Sequence, residues 1–350
     1  MKEAPLSALS TLEQAGTGTH TPSSTAFDVS IIIISFNTRD ILRECLTSVV
    51  QECHSLTSEI LVVENASTDG SAEMVEREFP QATLLRSSVN LGFGAANNLA
   101  LNQAAGKYLV LLNSDAFFAP GALTLAVRHM DEMPDCALGG CRLVGRDGSW
   151  QPSARCFHSL FNDAIVFTGL AARFPQSRFF GRFDRTWADD KSPAQVDWVP
   201  GAFSIIRPDA LHTIGLFDPN FFLYYEEVDL CLRLKRAGLK VWYWPDIVVT
   251  HLGGESSRQL KTLEVSSHSA QIVLWRMRST LLYYRKHHGL QAHGIRLLEQ
   301  ALYAGTFLRN RFSRKPWRRD RARQGATMLT LLAQAWKETD GGRISPPRPW

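Results

Sequence analysis

The chain has 350 residues, 45% hydrophobic and 21% charged, the balance of a soluble globular protein long enough for one or two domains. No apolar run approaches the roughly 20 residues that span a bilayer, and Met1 to Phe27 lack the basic-then-apolar plan of a secretory signal, so the expectation is a cytoplasmic protein. Six cysteines without a CxxC pair read as reduced core thiols, and the net charge of +4 is uneven: eight basic residues from Arg309 to Arg323 against Asp320 give that segment +7 and leave −3 elsewhere, which excludes general polyanion or nucleic-acid affinity for the body.

Residues 1–27 are rich in Ser, Thr, Ala and Gly without apolar periodicity and read as a flexible tail. From Val29 the pattern alternates. Strands are expected at Val29–Ser35, Glu59–Val63, Thr83–Arg86 and Tyr108–Leu112, with helices near Thr38–Val50, Ser71–Phe79 and Ala95–Ala104 between them. Strand and helix taking turns imply parallel strands joined by right-handed crossovers, hence an α/β, doubly wound, mainly parallel sheet flanked by helices. After Pro120 come a helix, a strand near Ala137–Val144, and Gly145–Val196, a long irregular stretch read as a substrate-facing insertion. Strand character resumes at Trp198–Ile206 and at Ile247–His251, with a helix Leu230–Arg236 before the latter. Helical spacing then dominates Leu260–His288, Ile295–Phe312 and Pro316–Trp336, a C-terminal helical extension. The division follows as 1–27 tail, 28–256 catalytic domain and 257–350 partly basic extension.

Leu109-Val110-Leu111-Leu112 is an aliphatic strand that stops on Asn113-Ser114-Asp115. Ligands of open α/β sheets bind at the carboxyl ends of strands, so Asp115 is delivered to a binding crevice where its carboxylate can hold a divalent cation. His251 ends a second such run. A strand-end His is more often a hydrogen-bonded structural group, but Leu252-Gly253-Gly254 after it leaves room for close approach and favours a second ligand, which tilts the choice toward Mn²⁺ over Mg²⁺. Asn113 brings no charge and is read as a ribose or loop contact, with Ser114 beside it. Glu64 ends a strand where it can accept from an imide N–H or a ribose hydroxyl, next to Asn65; Ser35, Phe36 and Asn37 end the first strand on the same edge and could floor the base. Asp69 is read as a helix cap. Asn90, Gly92 and Asn97 belong to a loop whose glycines just ahead of a helix suit anionic oxygens, although an ordinary loop into a helix fits equally.

Glu226, Glu227 and Asp229 crowd within four residues beside Tyr224 and Tyr225. Crowded carboxylates raise one another's pKa, which readies one to take a proton near neutral pH. Asp229 fits a helix-start role paired with Arg233 at i+4; Glu226 and Glu227 cannot be told apart on this ground. Trp198 offers an apolar face to a sugar or an ordinary core side chain.

Taken in order, Ser35-Phe36-Asn37, Val62 to Asn65 with Asp69-Gly70-Ser71, Asn90 to Asn98, Asn113-Ser114-Asp115, Gly201-Ala202-Phe203, Phe217-Asp218, Phe221 to Arg233 and His251 to Gly254 resemble the family 2 inverting glycosyltransferases, specifically the bacterial rhamnosyltransferase-like group that builds polysaccharide and O-antigen chains. The resemblance spans about Val29 to Ser256. It implies a GT-A fold, a nucleotide-sugar donor (dTDP- or UDP-linked, rhamnose being the family's suggestion), a divalent metal (Mn²⁺ or Mg²⁺) at a DxD-type motif, and single displacement with inversion onto a glycan or lipid-linked glycan. Asn113 stands in place of the first Asp of DxD, and the usual Glu-Asp base motif is Glu226-Glu227, which puts the base on Glu227. Two other readings compete: a nucleotidyltransferase, for which no Lys-bearing glycine loop follows the first strand, and an inactive nucleotide- or glycan-binding protein, against which the intact carboxylates speak. The basic segment with Phe312 and Trp317, next to apolar Met328 to Leu332, fits either an interfacial helix touching anionic lipid on the cytoplasmic face of the inner membrane or a solvated basic face.

Overall fold

Val29 to Ser35 are buried without interruption, as a strand covered on both faces requires. Alternate side chains of that strand feed two separate cores: Ile32 and Ile34 join Leu61, Val63, Leu109 and Leu111 on one side, Ile31 and Ile33 join Val62, Val110 and Leu112 on the other. A computed structural model describes residues 26–253 and 267–346. The expected tail and the division near Ser256 fall outside those residues.

In chain order the elements are β1 (Phe27–Ser35), α1 (Arg39–Glu52), β2 (Ser58–Asn65), α2 (Ser71–Glu78), β3 (Ala82–Ser87), α3 (Gly92–Leu101), β4 (Gly106–Asn113), β5 (Ala116–Phe118), α4 (Ala122–Glu132) and β6 (Cys136–Val144). There follow β7 (Trp150–Gln151), α5 (Leu160–Phe167), α6 (Leu170–Arg173), β8 (Ala194–Gln195), β9 (Phe203–Ile206), α7 (Glu226–Arg236) and β10 (Lys240–His251). The helices α8 (Ser267–His288), α9 (Gln291–Asn310) and α10 (Pro316–Glu338) complete the described chain.

The strands form one sheet in the order β3-β2-β1-β4-β9-β6-β10-β5, with β7 on β6 and β8 on β10. The first four are mutually parallel. Beyond them β9 runs antiparallel to both β4 and β6, while β10 is parallel to β6. Two reversals restore direction, so β1, β2, β4, β6 and β10 all end at the same edge. Helix α7 leads through a short turn into β10 and packs back against it, which puts the first turn of α7 at that edge too. Helices α1, α2 and α4 cover one face through Leu42, Leu46, Met74, Leu123 and Met130. The other is covered by α3 and α7 together with Leu281 of α8, Ile295 of α9 and Leu332 of α10, so the C-terminal helices share the core of the sheet.

Three expectations are corrected. Gly145–Val196 is not wholly irregular: it contains α5, capped by Ser159 accepting from the Asn162 amide, as well as α6, β7 and β8. The strand at Trp198–Ile206 shrinks to Phe203–Ile206, with Trp198 held by an isolated bridge to Arg155. The apolar stretch of α10 is packed inward, Leu331 and Leu332 being buried, so it is not a lipid-facing strip. All six cysteines are free thiols.

Candidate active site

Asp115 and His251 meet at the shared edge. Short β5 runs antiparallel to the end of β10 with Ala116 opposite His251, and the Leu252 amide donates to the Asp115 carbonyl (3.0 Å). This ladder brings Asp115 Oδ1 to 3.4 Å from His251 Nε2, each side chain 16% exposed. The imidazole is oriented from behind by Gln151, a residue on β7 that sequence reading missed. Gln151 Nε2 donates to the His251 carbonyl (2.8 Å), which leaves its Oε1 to accept from His251 Nδ1 at 3.1 Å. The tautomer with its proton on Nδ1 would turn the Nε2 lone pair toward the carboxylate. Such a pair could hold a cation between its two atoms, since adjacent octahedral ligands at about 2.1 Å from a metal lie about 3 Å apart. Among the described residues no group of three or more His, Cys, Asp and Glu could hold a metal. The pair could supply two ligands of a cation whose others come from water and a diphosphate, the usual habit of Mg²⁺-type sites.

The neighbouring strand ends are braced by polar side chains. Thr38 Oγ1 lies 3.2 Å from Ser35 Oγ and donates to Ser114 Oγ (3.1 Å), linking the ends of β1 and β4. Asn113 is anchored by its backbone, its amide donating to the Ala202 carbonyl (3.0 Å). Phe36 is 38% exposed, and Asn37, at φ 53°, accepts from the Thr68 amide (2.9 Å). Glu64 is buried with one oxygen accepting from the Ser67 amide. Asp69 accepts from the amides of Arg39 and Ser71 at 2.8 and 3.0 Å, a structural tie between α1 and α2.

Asn65 serves the glycine loop, accepting from the Leu91 amide (2.8 Å) and donating to Asn90 Oδ1 (3.0 Å), which in turn accepts from the Gly92 amide (2.9 Å). Gly92 is not ahead of the helix but its first residue, and what its bare backbone approaches is protein. At φ +77° a Cβ there would lie 2.2 Å from the Phe222 carbonyl oxygen, and the Phe93 amide donates to that carbonyl (2.9 Å). Asn97 donates to the Phe93 carbonyl (2.9 Å) and keeps its Oδ1 buried and unpaired. These contacts dock α3 onto the Phe221–Phe222 segment just ahead of the acidic group.

That group is the first turn of α7 rather than a loop before it. Tyr224 and Tyr225 both adopt left-handed backbone, φ 69° and 70°, conformations that cost of order 1–3 kcal/mol each in bulky residues and turn the chain abruptly into the helix. Glu226 is 4% exposed, Glu227 is half-buried, and the Oε2 atom of each is buried without a hydrogen-bond partner. Burial, then the adjacent Glu227, push the Glu226 carboxyl well above its usual range. Burial also raises Glu227, against the pull of the helix-start amides, Arg155 and His158. Asp229 takes the other role expected of it: burial would raise it, but His287, Arg233 and Lys286 outweigh burial and hold it at about 2.

Arg155 and His158 also escaped the sequence reading. His158 Nδ1 lies 2.8 Å from Asp163 Oδ1, its ring stacks at 5.9 Å on Trp198, and Arg155 sits 5.0 Å from the same indole. Trp198 is accordingly not a sugar platform: it is 4% exposed, with its indole N–H donating to the Cys156 carbonyl (2.8 Å). The insertion instead forms an open depression of about 370 Å³ lined by Gln176, Arg178, Arg185 and Trp187 among others.

Residues 30–195 match the model of Glycosyl transferase family 2. The chain is 28% identical over 220 residues to an N-acetylglucosaminyl-diphospho-decaprenol L-rhamnosyltransferase of Mycobacterium tuberculosis, covering 60% of this chain and 71% of that protein. It is 24% identical over 202 residues to rhamnosyltransferase WbbL of Escherichia coli, covering 55% and 69%. In fold it matches a Pyrobaculum calidifontis mannosyltransferase in complex with GDP-Man and Mn²⁺ (TM-score 0.50, 16% identity, 95% of this chain and 81% of that one). A second match is GalNAc-T7 with UDP, GalNAc and Mn²⁺ (TM-score 0.51, 14% identity, 75% and 51%). The fold is GT-A with a C-terminal helical region, and the chain is a glycosyltransferase whose residues 30–195 match family 2 and whose relatives include bacterial rhamnosyltransferases.

Proposed function

We propose that the protein moves a sugar from a dTDP- or UDP-linked donor to a glycan or lipid-linked glycan, inverting the anomeric carbon in a single displacement. The observation that carries this is one sheet edge holding both the Asp115–His251 pair and, at the start of α7, two carboxyls with raised pKa that each keep a buried, unpaired oxygen. Rhamnose as the sugar and a lipid diphosphate as the acceptor are supported by the name of the mycobacterial relative. A divalent metal is supported by the Mn²⁺ of two fold neighbours.

Asp115 and His251 would hold the metal, which when bound supplies Lewis-acid neutralisation of the charge developing on the nucleoside diphosphate. Ser35, Phe36, Asn37, Glu64, Asn113 and Ser114, at the ends of β1, β2 and β4, border the place for the nucleoside, and Asn65, Asn90, Gly92 and Asn97 hold the loop beside it. Glu227 is the base. Less buried than Glu226, it can reach an acceptor, whereas Glu226 has its Cβ against Gly94 of α3 and lines the wall. Glu227 takes the acceptor hydroxyl proton, the oxygen forms its bond to the anomeric carbon, and the electron pair of the breaking bond leaves with the nucleoside diphosphate. The raised pKa of Glu227 makes it a stronger base than an exposed carboxylate. We also assign residues 28–256 to the catalytic domain and 257–350 to a helical extension.

The test is Glu227→Gln with a panel of UDP-, dTDP- and GDP-sugars and Mn²⁺, scored by nucleotide release and the anomeric configuration of the product. Loss of a general base lowers turnover by roughly 10²-fold or more. Turnover within about threefold of wild type, or a retained configuration, overturns the assignment.

A further inference from the structure

Helices α9 and α10 form a hairpin whose far end is fixed in the core by Leu331, Leu332 and Ala335. Its tip is built differently. Leu308, Phe312 and Trp317 are 56%, 82% and 49% exposed within ten residues. Around them stand exposed Arg309, Arg311, Arg314, Lys315, Arg319 and Arg321. The Arg311 guanidinium lies 4.2 Å from the Phe312 ring centre, and those of Arg318 and Arg321 flank Trp317 at 5.2 Å each. The segment's single acid, Asp320, is spent on Arg323.

Single exposed hydrophobes need no explanation. Three within one ten-residue helix–turn–helix tip, ringed by cations and opposed by one neutralised acid, are the chemistry of an interfacial anchor, in which aromatic rings sit at headgroup level and cations meet lipid phosphates. Stacking on nucleic-acid bases would use the rings but not the aliphatic Leu308, which gains only from hydrocarbon. We propose that this hairpin tip docks the enzyme on an anionic phospholipid bilayer, Phe312 and Trp317 entering the headgroup region. The contact is the turn between the helices, not the apolar stretch of α10, and it is independent of the sugar-transfer chemistry.

The full chain is sedimented with vesicles of phosphatidylcholine alone and of phosphatidylcholine mixed with phosphatidylglycerol, with single-stranded RNA as a competitor. Wild type binds the anionic vesicles and not the neutral ones. Each cation near such a surface is worth about fivefold, so Arg314→Gln/Lys315→Gln binds about 25-fold more weakly. Phe312→Ser/Trp317→Ser loses about tenfold or more. Both variants keep the wild-type melting temperature and the wild-type rate on a water-soluble acceptor, which separates this surface from the catalytic reading. Equal binding to both vesicle types, unchanged binding of either variant, or RNA binding without vesicle binding overturns the proposal.

Discussion

Asp229 is fully buried at the start of α7 and joins that helix to α8, accepting from Arg233 and His287 at 2.7 Å each and from Lys286. Asp229→Asn removes the charge while keeping the shape. A carboxyl held at about 2 in the fold against 3.8 when free stabilises the ionised native state by about 2.5 kcal/mol. The substitution also leaves three donors facing a neutral amide, and breaking a buried ion pair costs about 3–5 kcal/mol, so the expected loss is about 3 kcal/mol. Urea unfolding at pH 7 measures it. Because folding lowers this pKa, the stabilisation is complete above about pH 4 and is lost as pH falls through about 2, in wild type and not in the variant. A loss under about 1 kcal/mol, or the same acid limb in both proteins, refutes the reasoning.

Gln151→Leu removes the clamp on His251 and should raise the Mn²⁺ concentration needed for half-maximal binding by about 10–100-fold, read by equilibrium titration; Gln151→Glu, which retains an acceptor, loses less. Because burial raises the Glu227 carboxyl, kcat/KM should rise with pH through a midpoint above the ordinary 4.5, where the base loses its proton; an acid limb at 4.5 or lower contradicts this. Gly92→Ala places a methyl against the Phe222 carbonyl at a left-handed backbone position and should cost at least about 2 kcal/mol by thermal melting; a neutral effect would mean that α3 and the Phe221–Phe222 segment are not tightly docked.

Much of the parallel half was legible because its strands are unbroken aliphatic runs, and the same runs pointed to Asp115 and His251 at their ends. The mixed half was not. Strands β5, β7 and β8 are two or three residues long, too short for any periodicity, yet β5 brings Asp115 to His251 and β7 carries Gln151. In β10 only Ile247 to His251 read as strand, since Pro245 lies within a register shift between Trp244 and Val248. The start of α7 was misread because two successive tyrosines with positive φ turn the chain into the helix, a conformation that sequence pattern does not announce. Arg155 and His158 act through the fold alone: they lie in a stretch without repeat, and the packing around Trp198 brings them within electrostatic reach of Glu227.

The claim that most needs a direct measurement is that Asp115 and His251 share one cation beside the Glu227 carboxyl. Crystals of the protein with Mn²⁺ and a nucleoside diphosphate, measured at the manganese edge, should show an anomalous peak bonded to Asp115 and to His251 Nε2 and to the diphosphate, with Glu227 facing the same cleft. A nucleotide bound with its manganese on other side chains, or with His251 turned away from the metal, would contradict the account.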